Sequence, residues 1–122
     1  MTYLEKKSIH DKAMFDDIVN AILSVMGDDA VKIILYGSVA RGNNTWDSDV
    51  DIAVLTTRHY DCKARNELWN SLWEYDLKYD TLFSIVPIDL YKFFQCKYDI
   101  LLYMNIEKES ITLWKKYVMQ NF

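Results

Sequence analysis

One proline and three glycines in 122 residues leave little room for a disordered linker. Cysteine is scarce too: Cys62 and Cys96 stand in no CxxC or Cys/His ligand spacing, nothing suggests a disulfide scaffold, and both read as reduced core or half-buried thiols. Basic charge is not in excess. Fourteen Lys and Arg against eighteen Asp and Glu give a net charge of −4, which argues against broad attraction to a nucleic-acid backbone, although a polyanion can still meet a local basic patch. No apolar run reaches the length needed to cross a bilayer, and Met-Thr-Tyr-Leu-Glu-Lys-Lys-Ser at the start lacks the apolar segment of a signal peptide, so the expected location is the cytoplasm. The two histidines, His10 and His59, have no evident Ser or Cys partner, which leaves a nucleophilic triad without support.

What is present is enough apolar material for an ordinary to rich core: 51% of residues are hydrophobic and 15% aromatic, and the length suits a single domain spanning 1–122. A capping-box pattern at Ser8 to Asp11 precedes apolar residues at helical spacing, Met14, Phe15, Ile18, Val19, Ile22 and Met26, with Gly27 as the stop. The β-branched run around Ile33 and Ile34 predicts a strand, Ser38 to Arg41 a short helical turn, and Val50 to Leu55 a second strand. Ala64, Leu68 and Leu72, flanked by Arg65, Trp69 and Trp73, predict a helix to about Asp76 with a broad apolar face. Tyr79 to Val86 reads as a third, buried strand ended by Pro87, with a helix near Leu90 to Gln95. From Tyr98 the pattern gives a helix to about Glu107 and then either a short strand or a further helix. Helix, strand, strand, helix, strand, helix implies an α/β or α+β fold, a mixed sheet flanked by helices.

The chemistry concentrates between Gly37 and Asp51. A Gly-Ser turn follows the first strand, ten residues separate Ser38 from Asp49, and Asp49 and Asp51 open the second strand. Two apart on a strand, these carboxylates leave the same face while Val50 and Ile52 enter the other. Like charges so close raise a pKa or destabilise the strand unless a cation bridges them, and hard oxygen ligands suit Mg²⁺, which completes its shell with waters and substrate phosphates. Gly37 allows close approach of a ligand or a positive φ, and Ser38 offers a hydroxyl and an amide at a helix start. Arg41, one helical turn on, can grip a phosphate oxygen or neutralise a leaving pyrophosphate, and Gly42 releases the chain into the returning loop. Ser48 beside the aspartates positions a water, caps a turn or touches the nucleotide.

A third carboxylate would complete a two-metal site, one ion activating the attacking oxygen and the other orienting the phosphates. Asp80 is the candidate, at the opening of the third strand and sharing a face with Leu82, Ser84 and Val86; the alternative is that it caps the preceding helix or ends a turn. Asp89, beyond Pro87, fits less well. Trp69 and Trp73 read as core or partner surface rather than a base-stacking platform, and Lys6, Lys7, Lys115 and Lys116 as solvated termini.

Gly37-Ser38 followed by Asp49-Val-Asp51 resembles the nucleotidyltransferase superfamily related to DNA polymerase β, and Gly-Ser-Val-Ala-Arg-Gly with Ser-Asp-Val-Asp resembles its minimal nucleotidyltransferases (MNT) more closely. Leu102 to Trp114 also looks like the tail of that family, where a helix ends in an acidic residue and a glycine before a short strand; here Ser110 takes the glycine place. The resemblance implies the polymerase β-like fold and transfer of AMP from ATP to a hydroxyl, with release of pyrophosphate. By it Asp49, Asp51 and Asp80 hold Mg²⁺, two ions in all, and Asp80 helps activate the acceptor. Gly37, Ser38, Arg41 and Ser48 meet the nucleotide. Many MNT proteins are antitoxins that add AMP to a tyrosine of a partner HEPN-domain toxin, so the resemblance implies a protein adenylyltransferase of a type VII toxin–antitoxin system. The alternatives are a small-molecule nucleotidyltransferase of the aminoglycoside-modifying type and a non-catalytic antitoxin acting by binding. Exposed aromatics in the second helix or tail suit an interface, leaving homo- and hetero-oligomer open.

Overall fold

An apolar run without polar alternation is a strand covered on both faces, and Ala30–Tyr36 (β1) and Val50–Thr56 (β2) are two such strands at the centre of a four-stranded sheet. The computed structural model describes residues 12–42, 49–96 and 98–116. The elements run Lys12–Met26 (α1), a 3-10 turn at Gly27–Asp29, β1, Gly37–Arg41 (α2), β2, Cys62–Tyr79 (α3), Phe83–Asp89 (β3), Leu90–Cys96 (α4), Leu101–Glu109 (α5) and Ile111–Lys115 (β4). Strand order is β3-β2-β1-β4. β1 pairs antiparallel with β2 and β4, whereas β2 and β3 run parallel because α3 carries the chain back between them.

Alternation on the central strands divides the core in two. Ile33, Leu35, Ile52 and Val54 point toward α1 and α3, where Phe15, Ile18, Ile22, Leu68 and Leu72 meet them. Ile34, Ala53 and Leu55 point the other way, against Ile88, Phe93, Tyr103 and Ile106. Two carboxylates tie the helices and loops to this frame: Asp17 accepts from Lys78 Nζ at 2.6 Å and from the Tyr79 hydroxyl, and Asp29 accepts from Arg58 Nε at 2.8 Å and the Tyr60 hydroxyl at 2.9 Å. Asp61 caps α3 by accepting the Ala64 N–H at 2.8 Å.

The mixed sheet covered by helices agrees with expectation, and several local readings are corrected. Pro87 does not end the third strand; it lies inside β3 opposite Val54, tolerated because β3 is the sheet edge, where a missing N–H removes no ladder bond that the fold requires. For the same reason β3 is half-buried rather than buried, with Phe83, Ile85 and Ile88 inward. Asp80 opens no strand. It is the C-cap of α3 in left-handed conformation, φ 49° and ψ 48°, a place that a short polar side chain tolerates, so the helix runs past Asp76 and β3 begins later. The face of α3 is also narrower than expected: Leu68 and Leu72 are buried while Trp69 and Trp73 are exposed, as is Cys62. Residues 111–115 are the strand alternative, and Lys115 belongs to it while Lys116 Nζ donates to the Asp28 carbonyl at 3.0 Å. Ser110 is extended, φ −100°, so no glycine is required there. The Ser8–Asp11 pattern, Lys6, Lys7 and His10 lie outside the described residues.

Ile52 on β2 is wholly buried in the layer beneath α1 and α3. Ile52→Ala is expected to cost about 2–5 kcal/mol, whereas Leu82→Ala, at a side chain 55% exposed, should stay within about 0.5–1 kcal/mol; urea midpoints compare the two.

Candidate active site

The antiparallel register of β1 and β2 sets the last residue of one strand beside the second residue of the other, Tyr36 opposite Asp51. The chain leaves β1 at Gly37, φ 78°, and turns at once into α2, which Val39 anchors in the core and Gly42, φ 77°, ends with its N–H directed at the Ser38 and Val39 carbonyls. This turn lies directly against Asp51: a Cβ on Gly37 would overlap Asp51 Oδ2. Glycine is thus required twice over, by its positive φ and by the carboxylate occupying the space of a side chain.

Asp49 immediately precedes β2, and the Val50 N–H donates to the Leu82 carbonyl at 2.9 Å, which holds this end of β2 against the approach to β3. Asp51 is half-buried. Its carboxyl is pushed up, first by burial and then by the Asp49 charge, with Arg41 pulling the other way. The neighbouring Tyr36 hydroxyl is pushed up to about 12 by burial and by Asp51. Arg41 stands between two acids, acting on Asp51 while its Nη1 donates to Glu109 Oε2 at 3.2 Å.

Gly37, Ser38, Arg41, Asp49 and Asp51 are therefore gathered at one end of the sheet by β1, α2 and β2. Asp80 is not among them: it stays at the α3 C-cap, and among the described residues no three Asp, Glu, His or Cys side chains cluster as a metal site. Asp89 pairs with Thr56, five residues along from Asp51, and Ser48 lies outside the described residues. Two hard oxygen donors, one held against a glycine turn beside an arginine, fit Mg²⁺ shared with phosphate oxygens rather than an all-protein cage.

Three further residues join the site. Ser84 on β3 sits opposite Asp51 in the parallel register. Asp76, near the end of α3, accepts the Phe83 N–H at 3.1 Å; burial raises its carboxyl, the Phe83 N–H lowers it and the Asp49 charge raises it again. Glu109 holds Arg41. A signal for Asp76 exists in the sequence: it continues the buried stripe of Leu68 and Leu72 at four-residue spacing, where an acid is out of place. Ser84 and Glu109 carry none, since strand register and a pair 68 residues apart are set by the fold. Between α3 and β3 a cleft of about 350 Å³ has Asp49, Asp76 and Ser84 in its lining together with Trp69, Trp73 and Leu82.

A glycine turn, an arginine and paired carboxylates at adjacent strand ends have the chemistry that nucleotidyl transfer calls for. Residues 20–117 match the polymerase beta nucleotidyltransferase family, and the chain belongs to it. A Methanocaldococcus jannaschii protein named "Putative protein adenylyltransferase" is 35% identical over 63 residues, a match spanning 52% of this chain and 64% of that protein. Among solved structures, a complex of tri-AMPylated Shewanella oneidensis HEPN toxin with MNT antitoxin contains a chain of similar fold, at a TM-score of 0.57 and 19% identity over 85% of this chain and 71% of that one. A toxin–antitoxin structure with AMP-PNP gives a TM-score of 0.55 and 25% identity, over 81% of this chain and 74% of that one.

Two outcomes follow from Asp51. Gly42→Ala, which meets open space, should cost about 1–2 kcal/mol for left-handed strain alone; Gly37→Ala should cost more, and the excess should vanish in an Asp51→Ala background, read as a double-mutant cycle in denaturant. A carboxyl raised in the folded state binds its proton more firmly there than when unfolded, so its contribution to stability falls as pH rises from the ordinary value of 3.8 through the raised one. In the absence of divalent cations Asp51→Asn should therefore be more stable than the parent at pH 7, with the difference closing below about pH 4.

Proposed function

We propose that this chain is a minimal nucleotidyltransferase domain that moves AMP from ATP to a hydroxyl of a protein acceptor, a tyrosine of a HEPN-domain toxin that it silences as an antitoxin in the cytoplasm. The observation that carries the reading is the packing of the Asp51 carboxylate against Gly37, which joins the phosphate turn and the acidic pair into one site. Belonging to the nucleotidyltransferase family supports the reaction class. The name of the archaeal relative supports a protein as acceptor, and the AMP-PNP complex and the AMPylated HEPN toxin bound to an MNT antitoxin support ATP and the partner.

In this reading Gly37 and Ser38 present backbone N–H groups and a hydroxyl to the triphosphate, and Arg41 neutralises the pyrophosphate as it leaves. Ser48 belongs to the same set. Asp49 and Asp51 would hold Mg²⁺, which when bound supplies positive charge to the triphosphate and relieves the repulsion that raises Asp51. Asp80 receives no role, because it is the C-cap of α3 and among the described residues no three acids cluster as a metal site. Glu109 keeps the Arg41 guanidinium in place until phosphate competes for it.

Incubation with α-³²P-ATP, Mg²⁺ and the toxin encoded beside this chain is expected to label the toxin, and γ-³²P-ATP is not. Asp49→Ala with Asp51→Ala, or EDTA, should reduce labelling by about 10²-fold or more. Labelling of an aminoglycoside but of no protein, or toxin neutralisation that survives loss of both aspartates, would defeat the reading.

A further inference from the structure

The cleft between α3 and β3 reaches one member of the acidic pair and none of the residues of the phosphate turn. Asp51 packs against Gly37, whereas Asp49 lines the cleft, and neither Gly37, Ser38 nor Arg41 does. Displacement at the α-phosphorus is in line: the acceptor oxygen enters opposite the bond to the departing pyrophosphate. With the pyrophosphate seated at the turn, the cleft, which reaches Asp49 and none of the turn residues, is an opening that the entering oxygen can use.

The walls of the cleft say what carries that oxygen. Trp69, Trp73 and Leu82 are apolar, while Asp49, Asp76 and Ser84 are polar, a contrast that suits a phenol with its apolar ring and polar tip. The apolar surface does not stop at the rim. Trp69, Trp73 and Leu77 follow one another at four-residue spacing on α3, exposed by 45%, 58% and 71%, so the stripe continues past the cleft onto open surface. A nucleotide base or a sugar would need the cleft alone; a polypeptide would use both. The partner does not add a strand at Ile85, because the Trp69 indole N–H donates to the Ile85 carbonyl at 2.7 Å and covers the edge of β3 there.

We propose that this cleft is the acceptor subsite: a protein segment docks along the Trp69–Trp73–Leu77 stripe and inserts a tyrosine over Trp73 and Leu82, its hydroxyl directed at Asp49. The proposal rests on the adenylyltransferase reading above. In the step it serves, the tyrosine oxygen forms a bond to the α-phosphorus, the bond from that phosphorus to the bridging oxygen breaks, pyrophosphate departs with the electron pair, and the phenolic proton passes to water. Trp73 is a positioning residue for the acceptor and touches neither the nucleotide nor the reacting atoms.

The test uses the full chain, α-labelled ATP, Mg²⁺ and the toxin encoded beside it, with Trp73→Ala, Trp73→Phe and, as a control on another exposed aromatic, Tyr91→Ala. Trp73→Ala should raise KM for the toxin tenfold or more, Trp73→Phe should recover most of the loss, and Tyr91→Ala should match the parent. All should bind a non-hydrolysable ATP analogue with Mg²⁺ as the parent does. In ¹⁵N spectra of the tryptophan indoles, N-acetyltyrosinamide should shift the Trp73 signal and the ATP analogue should not. Unchanged toxin kinetics in Trp73→Ala, or nucleotide binding weakened tenfold by it, overturns the acceptor assignment, the second outcome making the cleft a base pocket. Absence of toxin labelling by the parent chain instead overturns the adenylyltransferase reading itself, so the two failures are told apart.

Discussion

The contact of the Asp51 carboxylate with the backbone of Gly37 is the constraint on which the rest of the site depends. It exists because β1 and β2 pair antiparallel with Tyr36 opposite Asp51, so that the end of one strand and the start of the other lie side by side at one end of the sheet despite the excursion between them. From that contact the other placements follow. α2 must begin where it does, Arg41 comes round one turn later within reach of both Asp51 and Glu109, and Asp49 is in the lining of the cleft between α3 and β3.

The arrangement works against folding stability locally and is sustained by the sheet around it. A half-buried carboxyl raised by desolvation and by a second acid is a poor neighbour for Tyr36, whose own hydroxyl is pushed up. The central strands tolerate this because Ile52, Val54, Ile33 and Leu35 are wholly buried beneath and between two helical layers.

α3 serves two environments at once. Leu68 and Leu72 complete the core, while Trp69 and Trp73, one residue further round, form the wall of the cleft, and Asp76 pins the first residue of β3 by accepting its N–H. One helix therefore fixes the edge strand, lines the cleft and presents an apolar stripe, and the geometry of the acidic end is coupled to the surface on which a partner would rest. The Trp69 hydrogen bond to Ile85 shows the coupling in a single contact, an exposed aromatic that also satisfies a backbone carbonyl of the sheet edge.

Much of this was legible along the chain. Helical spacing from Met14 to Met26, the apolar runs of β1 and β2 and the Gly37 to Asp51 motif are local patterns, because helix and strand periods and the demand for glycine at a tight turn are written in neighbouring residues. What no local pattern contains is register and handedness at a cap. Asp80 reads either as the start of a strand or as a cap on the helix before it; its left-handed conformation makes it the cap of α3, and β3 begins three residues on. Asp76, Ser84 and Glu109 arrived instead through a helix packed on an edge strand, a parallel pairing and a contact across 68 residues. The sequence by itself determined which groups have the chemistry that suits phosphate and metal, since that is a property of side chains at short spacing; the tertiary structure alone decided which acids come together and which side chains line the cleft, since those depend on how distant elements pack.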